Sequence, residues 1–182
     1  MNALPDGSMD PRQFRNALGR FASGVTIITT EYEGRTHGMT ANAFVSVSLQ
    51  PPLVLVAVDN RAQMHQLLPA SGWYGVSILA DDQEAYSNHF AGRKAEGVEV
   101  RFVRKRDMPM IDGAVAHLVA RVVGAHLAGD HTLYIGQVEY LEWQDRQPLL
   151  FYAGQYRRLD VERLKPPQWP EDEMALFSFG NY

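Results

Sequence analysis

Gly38-Met39-Thr40-Ala41-Asn42-Ala43-Phe44-Val45-Ser46-Val47-Ser48-Leu49-Gln50-Pro51-Pro52-Leu53-Val54-Leu55-Val56-Ala57-Val58 is the stretch on which the fold turns. Its last six residues form an unbroken apolar run, the mark of a buried strand. The run from Pro51 to Val58 is the longest apolar stretch in the chain and is far too short to span a bilayer. Pro51-Pro52 breaks strand pairing ahead of it. Before the prolines, residues 41–48 alternate in part, with Ala43, Val45 and Val47 on one parity and Phe44, Ser46 and Ser48 on the other. The segment opens with small and polar residues, Gly38 to Ala43, between two otherwise apolar strands.

Working outward toward the N-terminus, Arg35 onward reads as a strand returning from a Glu33-Gly34 turn. Val25-Thr26-Ile27-Ile28-Thr29-Thr30 is β-branched throughout and predicts the strand before that turn. A helix precedes it: Asp10 can cap, Pro11 suits the first helical position, and Phe14, Leu18 and Phe21 recur at i, i+4 and i+7. Gly24 supplies its stop signal. Toward the C-terminus, Asn60 can cap a short helix with Met64, Leu67 and Leu68 inward. Trp73 to Leu79 reads as a strand, and Asp81 or Asp82 caps a helix to about Phe90. Strand candidates follow at 98–103, 114–126, 132–141 and 149–152, the middle pair joined through Gly129-Asp130. Strands and helices do not alternate regularly, which disfavours a doubly wound parallel sheet. The expectation is a mainly β chain, an antiparallel barrel wholly or partly closed, with short peripheral helices.

The 182 residues suffice for one domain with a full core. Residues 1–9 read as a flexible lead, 10–160 as the domain, and 161–182 as a polar, Pro-rich extension ending in an apolar stretch, Met174 to Phe179. A net charge of −4 argues against nucleic-acid and anionic-membrane partners. The absence of cysteine excludes disulfides, iron–sulfur clusters, thiolate zinc sites and cysteine nucleophiles. It fits a reducing compartment, and no basic patch followed by an apolar run opens the chain, so a cytoplasmic location is expected. No GxGxxG, P-loop or GxSxG motif occurs, and the six histidines form neither HxH nor HExxH, so no metal site is expected.

Three segments are candidates for chemistry. Gly38 to Ala43 can let a flat ligand approach the backbone, whose N–H and C=O groups then meet a heteroaromatic edge, although a bulge or barrel corner also gathers small residues. Asn60-Arg61 ahead of a helix suits a phosphate, or is a plain cap beside a solvated arginine. His131, in Gly129-Asp130-His131-Thr132, sits at a cleft mouth or simply faces water.

Taken in order, Phe14 to Thr30, Gly38 to Val56, Ser87-Asn88-His89-Phe90, Gly129 to Thr132 and Pro148 to Tyr156 resemble the short-chain flavin reductases, the flavin reductase-like domain family that supplies two-component monooxygenases. The tail from Glu162 through Trp169 to Phe177 looks like the extension of reductases serving aromatic- and steroid-ring hydroxylases. The resemblance implies a Greek-key split barrel, a homodimer with FMN or FAD near the subunit interface, and the extension packed on the domain or on the partner. It implies flavin contacts at His37, Gly38, Met39, Thr40, Asn42 and Ala43, and at Ala57, Val58 and Asp59. Gln63 and Met64 fall on the phosphate side, with His89 and Phe90 lining the same pocket. His131 and Tyr156 fall on the nicotinamide side, His131 orienting the donor. Where the family often carries Ser and Thr, this chain has Ala62, Gln63 and Met64, which leaves backbone N–H groups, the Gln63 amide, Arg61 or His65 to hold a phosphate. The activity implied is reduction of FMN or FAD by NADH or NADPH, hydride passing to flavin N5, and delivery of reduced flavin to a monooxygenase of the aromatic-hydroxylating type. The other readings are an electron-transfer flavoprotein without its own NAD(P)H activity, an oxidase whose substrate phosphate would meet the basic run Arg101, Arg104, Lys105 and Arg106, and a cofactor-free barrel.

Overall fold

Asp10 begins the first helix as its sequence suggests: the carboxylate accepts the Arg12 N–H at 2.9 Å, and Pro11 opens α1 (Pro11–Leu18). The computed structural model describes residues 9–93 and 97–160. The expected extension at 161–182, and all of the expected lead except Met9, lie outside the described residues. The helix stops earlier than Gly24, at Gly19, whose N–H donates to the Arg15 carbonyl at 2.8 Å. Gly24 lies instead in β1 (Ser23–Gly24). The apolar spacing of α1 is real, but its face is uncovered among the described residues: Phe14, Leu18 and Phe21 are 51%, 58% and 81% exposed.

The remaining elements run β2 (Thr26–Tyr32), β3 (Arg35–Ala41), β4 (Phe44–Leu49), β5 (Pro52–Asp59), α2 (Gln63–Ser71), β6 (Trp73–Ile78), α3 (Glu84–Phe90), β7 (Phe102–Lys105), β8 (Met108–Ile111), β9 (Ala116–Ala128), β10 (His131–Trp143), β11 (Leu150–Tyr152) and β12 (Gln155–Arg157). Glu33 and Gly34 both take positive φ, 51° and 71°, the left-handed turn that matches hairpin twist between β2 and β3. Pro52 pairs with Leu49 as the first residue of β5, so the prolines make a turn between paired strands rather than a break.

Seven strands form one sheet in the order β3-β2-β6-β9-β10-β5-β4. Every neighbouring pair is antiparallel, so the two edge strands, β3 and β4, run the same way. They are also consecutive in the chain, linked by Asn42-Ala43 alone. Three Cα steps keep Ala41 and Phe44 within about 11 Å of each other. The sheet must therefore curl until its edges meet at that corner. No β3–β4 pairing closes it into a continuous barrel among the described residues. The reason is geometric: parallel neighbours need a long crossover, and two residues can only carry the chain from one edge to the other end to end.

The concave side holds Ile28, Val54, Val56, Val58, Tyr74, Val76 and Tyr134, with Met64 and Leu68 of α2. Ile27, on the opposite parity of β2, packs with Val25, Leu79, Ile111 and Leu149, so this β-branched strand is buried on both faces. The β7–β8 hairpin covers Val119 with Met108 and Met110. The β5 run, by contrast, is fully buried on one face only, and Leu53, Leu55 and Ala57 are half-buried. Two expected caps are also replaced. Asn60 makes no cap bond to α2, whose N-cap position is Ala62, and Gln83 rather than Asp81 or Asp82 precedes α3. The Gln83 amide bonds Ala80 N and Asp112 O instead. None of the described helices is long and apolar enough to cross a membrane.

Candidate functional site

Three recesses lie around the β3–β4 corner and the start of α2. A cleft of about 150 Å³ is lined by His37, Gly38, Met39, Gln63, Met64 and Phe90. Strand β3 brings the first three, α2 the next two and α3 the last. Gly38 is required there: a Cβ built on it would lie 2.4 Å from Phe90 Cε1. His89 stands edge-on to the Phe90 ring, with centroids 5.0 Å apart. Thr40 Oγ1 donates to the Ser87 carbonyl at 2.6 Å, tying β3 to α3.

A larger recess of about 720 Å³ holds Asn42 and His131 with Phe14, Arg15, Arg20, Phe151 and Gly154. Asn42 and Ala43 also line a third recess, of about 600 Å³, against Gly24 and Phe21. Asn42 is thus common to both. Ala57 N–H donates to the Ala43 carbonyl at 3.1 Å and fixes the corner to β5. The N–H groups of Asn42 and Ala43, and the Asn42 amide, make no hydrogen bond among the described residues. They remain available to an incoming heteroaromatic edge. Val58 turns its side chain into the core, so only its backbone can serve a ligand.

His131 opens β10 opposite Asp59, the last residue of β5. Its Nδ1 lies 2.8 Å from Asp130 Oδ1, and that hydrogen bond lowers the Asp130 pKa. Thr132 Oγ1 donates to Asn60 Oδ1 at 2.7 Å, and Asn60 N–H donates to the Asp130 carbonyl at 3.0 Å. The residue read as a helix cap therefore pins the β9–β10 hairpin tip to the start of α2.

Two of the four possible phosphate holders are already engaged. The Arg61 guanidinium donates to Asp59 through Nε at 3.1 Å and through NH2 at 2.7 Å, and these bonds hold the Asp59 carboxyl well below the usual carboxylate range. His65 Nδ1 lies 2.8 Å from the Tyr134 hydroxyl. The N–H groups of Gln63 and Met64 at the first turn of α2 have no acceptor among the described residues, and the Gln63 amide is exposed beside them. Such donors at a helix start suit an anion. No group of three or more metal-ligating side chains occurs among the described residues. Three of the four residues of the basic run are paired, Arg104 with Glu31, Lys105 with Glu142 and Arg106 with Glu139, and the fourth, Arg101, is exposed, as on a solvated face.

Tyr156 lies in none of the three recesses. Its hydroxyl bonds Ser87 Oγ at 2.8 Å and Asn88 Oδ1 at 3.3 Å. Sequence reasoning did not single out Arg15, Arg20, Phe151 and Gly154 as site residues. The arginines flank the apolar spacing of α1, a signal that was present, whereas nothing local marks Phe151 or Gly154 as neighbours of His131.

Free backbone donors at a side-chain-poor corner and at a helix start are features of a β protein that suit a nucleotide-like ligand. The chain belongs to the flavin reductase like domain family, which matches residues 18–160. It is 54% identical to an NADH-dependent flavin reductase of a Rhodococcus species over 159 residues, 86% of this chain and 90% of that one. It is 42% identical to the reductase component of 4-hydroxyphenylacetate 3-monooxygenase of Thermus thermophilus over 147 residues, 80% of this chain and 95% of that one. Among solved structures it is similar to the flavin reductase PheA2 in its native state, with a TM-score of 0.81 and 48% identity over 83% of this chain and 99% of that one. The residues at the corner and at α2 fit a flavin: small side chains, unpaired N–H groups and no competing metal ligands.

Proposed function

We propose that this protein is an NADH-dependent flavin reductase that reduces FMN or FAD and hands the reduced flavin to a separate monooxygenase. The observation that carries the reading is the convergence of His37, Gly38, Met39, Gln63, Met64 and Phe90, residues from three separate elements, on one cleft beside the Asn42-Ala43 corner. The names of the similar proteins support it, both as NADH-dependent flavin reductase and as reductase component of a monooxygenase.

When bound, the flavin supplies a ring that accepts a hydride from the dihydronicotinamide. The chain's own residues do the rest. Asn42 and Ala43 present N–H donors to the ring edge at the corner. The first turn of α2 and the Gln63 amide receive the phosphate. His37, Gly38, Met39 and Phe90 wall the cleft, with Thr40 and His89 behind them. Ala57, Val58 and Asp59 act from β5 without lining the cleft: Ala57 fixes the corner through the Ala43 carbonyl, Val58 packs in the core and Asp59 holds Arg61. His131 orients the nicotinamide in the larger recess, where Arg15 and Arg20 add positive charge next to aromatic surface, suited to a dinucleotide. No side chain need act as a nucleophile, in keeping with a chain that carries no cysteine. Such a chain suits the reducing cytoplasm.

The assembly in this reading is a split-barrel homodimer. Two features support it: edges that meet without pairing, and an edge strand β4 that exposes Val45, Val47 and Leu49 around its bulge. The deciding experiment is anaerobic stopped-flow with NADH and NADPH against FMN, FAD and riboflavin. Rapid bleaching of flavin absorbance by NADH is expected. A protein that binds flavin yet gives no bleaching would be an electron-transfer flavoprotein instead.

A further inference from the structure

We infer that Tyr156 is a positioning residue for the flavin cleft, acting through α3 rather than by contact with nicotinamide. The inference rests on reading the His37–Phe90 cleft as the flavin site. Helix α3 is short, seven residues, and no side chain caps its start. An isolated helix of that length has no stability of its own and depends on tertiary ties. Its ties converge on Ser87, which is fully buried. The Ser87 carbonyl accepts the Thr40 hydroxyl from β3, and its Oγ meets the Tyr156 hydroxyl of β12.

The proton order follows from the partners. Asn88 Oδ1 can only accept, and it receives Tyr156 at 3.3 Å and Arg93 at 3.3 Å. The single phenolic proton of Tyr156 therefore points at Asn88, and Ser87 Oγ donates to Tyr156. One phenol thus links two successive residues of α3 to β12. The Phe151 ring, 5.5 Å away and edge-on, holds the Tyr156 ring in place. Three residues after Ser87, in the last turn of α3, Phe90 lies on Gly38 and forms the cleft wall. If α3 shifts or rotates, Phe90 must leave Gly38. His131 belongs to the other recess, which the chain of bonds reaches only through the Phe151 ring, and no hydrogen bond among the described residues joins His131 to Tyr156, Ser87 or Asn88.

The test is Tyr156→Phe, with flavin binding to the apoprotein followed by flavin fluorescence and KM measured separately for flavin and NADH. Loss of one buried hydrogen-bond bridge is expected to weaken flavin binding about fivefold, leaving the KM for NADH unchanged. Ser87→Ala should reproduce the effect, and the double variant should add little to either. Thr40→Ser should retain wild-type flavin affinity where Thr40→Val does not, a rescue that general destabilisation would not give. A raised KM for NADH with unaltered flavin binding in Tyr156→Phe would overturn the inference and place the phenol at the nicotinamide. Gly38→Ala separates the two layers of the argument, because it pushes Phe90 directly. If Gly38→Ala weakens flavin binding and neither Tyr156→Phe nor Ser87→Ala does, the positioning role is wrong and the cleft assignment stands. If none of the three changes flavin binding, the cleft assignment falls and the positioning role with it.

Discussion

His131 and Asp59 face each other across the β10–β5 ladder, so the tip of the longest hairpin and the mouth of α2 form a single structural unit. The side chain of His131 is part-exposed, and among the described residues it hydrogen-bonds only to neighbouring Asp130. Its removal should leave the fold intact. His131→Ala is expected to lower the rate of flavin reduction by NADH about tenfold through lost orientation, with an unchanged circular dichroism spectrum. An unaltered stopped-flow rate would remove His131 from the site.

The Arg61–Asp59 pair makes a contrasting prediction. A guanidinium that already meets a carboxylate with two donors has little left to offer a phosphate, and the pair is solvent-screened. Arg61→Ala should change FMN affinity less than about twofold. Gln63→Ala, which removes the free amide at the α2 start, should weaken FMN by more than it weakens riboflavin. Fluorescence titration of the two ligands against both variants checks this.

Gly136 is an internal test of the concave core. A Cβ there would stand 2.2 Å from the Tyr74 hydroxyl and 2.8 Å from Ala120 Cβ, with both neighbours buried. Tyr74 has no room to retreat, and burial keeps its phenol neutral by raising its pKa. Gly136→Ala should therefore destabilise by about 1–3 kcal/mol or more, read as a lower midpoint in urea.

Glu142 contributes to the acid limb of stability. Hydrogen bonds from His117, Lys105 and Tyr140 lower its pKa from the ordinary 4.5 to about 2. The unfolded chain thus binds a proton at higher pH than the folded one. The contribution is fully present above pH 4.5 and is lost as pH falls toward 2. Glu142→Gln should reduce stability at pH 7 and flatten the fall in urea midpoint between pH 4.5 and 2. A wild-type curve with no fall across that window would contradict the assignment.

The exposed apolar residues of β4 bear on the proposed homodimer. Val45 is 51% exposed on a sheet edge that no described strand covers. If that edge is the dimer contact, a charge placed there is desolvated in the dimer and solvated in the monomer. Val45→Asp should then sediment as a monomer where the unaltered protein sediments as a dimer, with the thermal stability of the fold retained; an unaltered protein that sediments as a monomer would overturn the proposed assembly.

Much of the architecture was legible because it is written in local periodicity. The β-branched run of β2, the Glu33-Gly34 turn and the Asp10-Pro11 helix start each act over a few residues, so the sequence suffices to read them. Strand β8 was missed because Met108-Pro109-Met110-Ile111 carries no alternation: all four residues are buried. The caps were misread for a related reason. Asn60, Asp81 and Asp82 have side chains that suit a helix end, yet tertiary partners at Thr132, Arg158 and Arg146 engage them instead.

The sequence by itself determined that this is a mainly β chain with a side-chain-poor segment at Gly38 to Ala43, because residue volume and β-branching act within a few neighbours along the chain. Only the tertiary structure decided that most of this segment is strand β3 and that its last two residues, Asn42 and Ala43, join the two outer edges of one curled sheet. It also decided that Phe90 rests on Gly38, that Arg61 is closed on Asp59, and that Tyr156 reaches α3 instead of the recess of His131. Those relations join residues distant in the chain, and their partners are chosen by strand order, curl and packing, which no local pattern specifies.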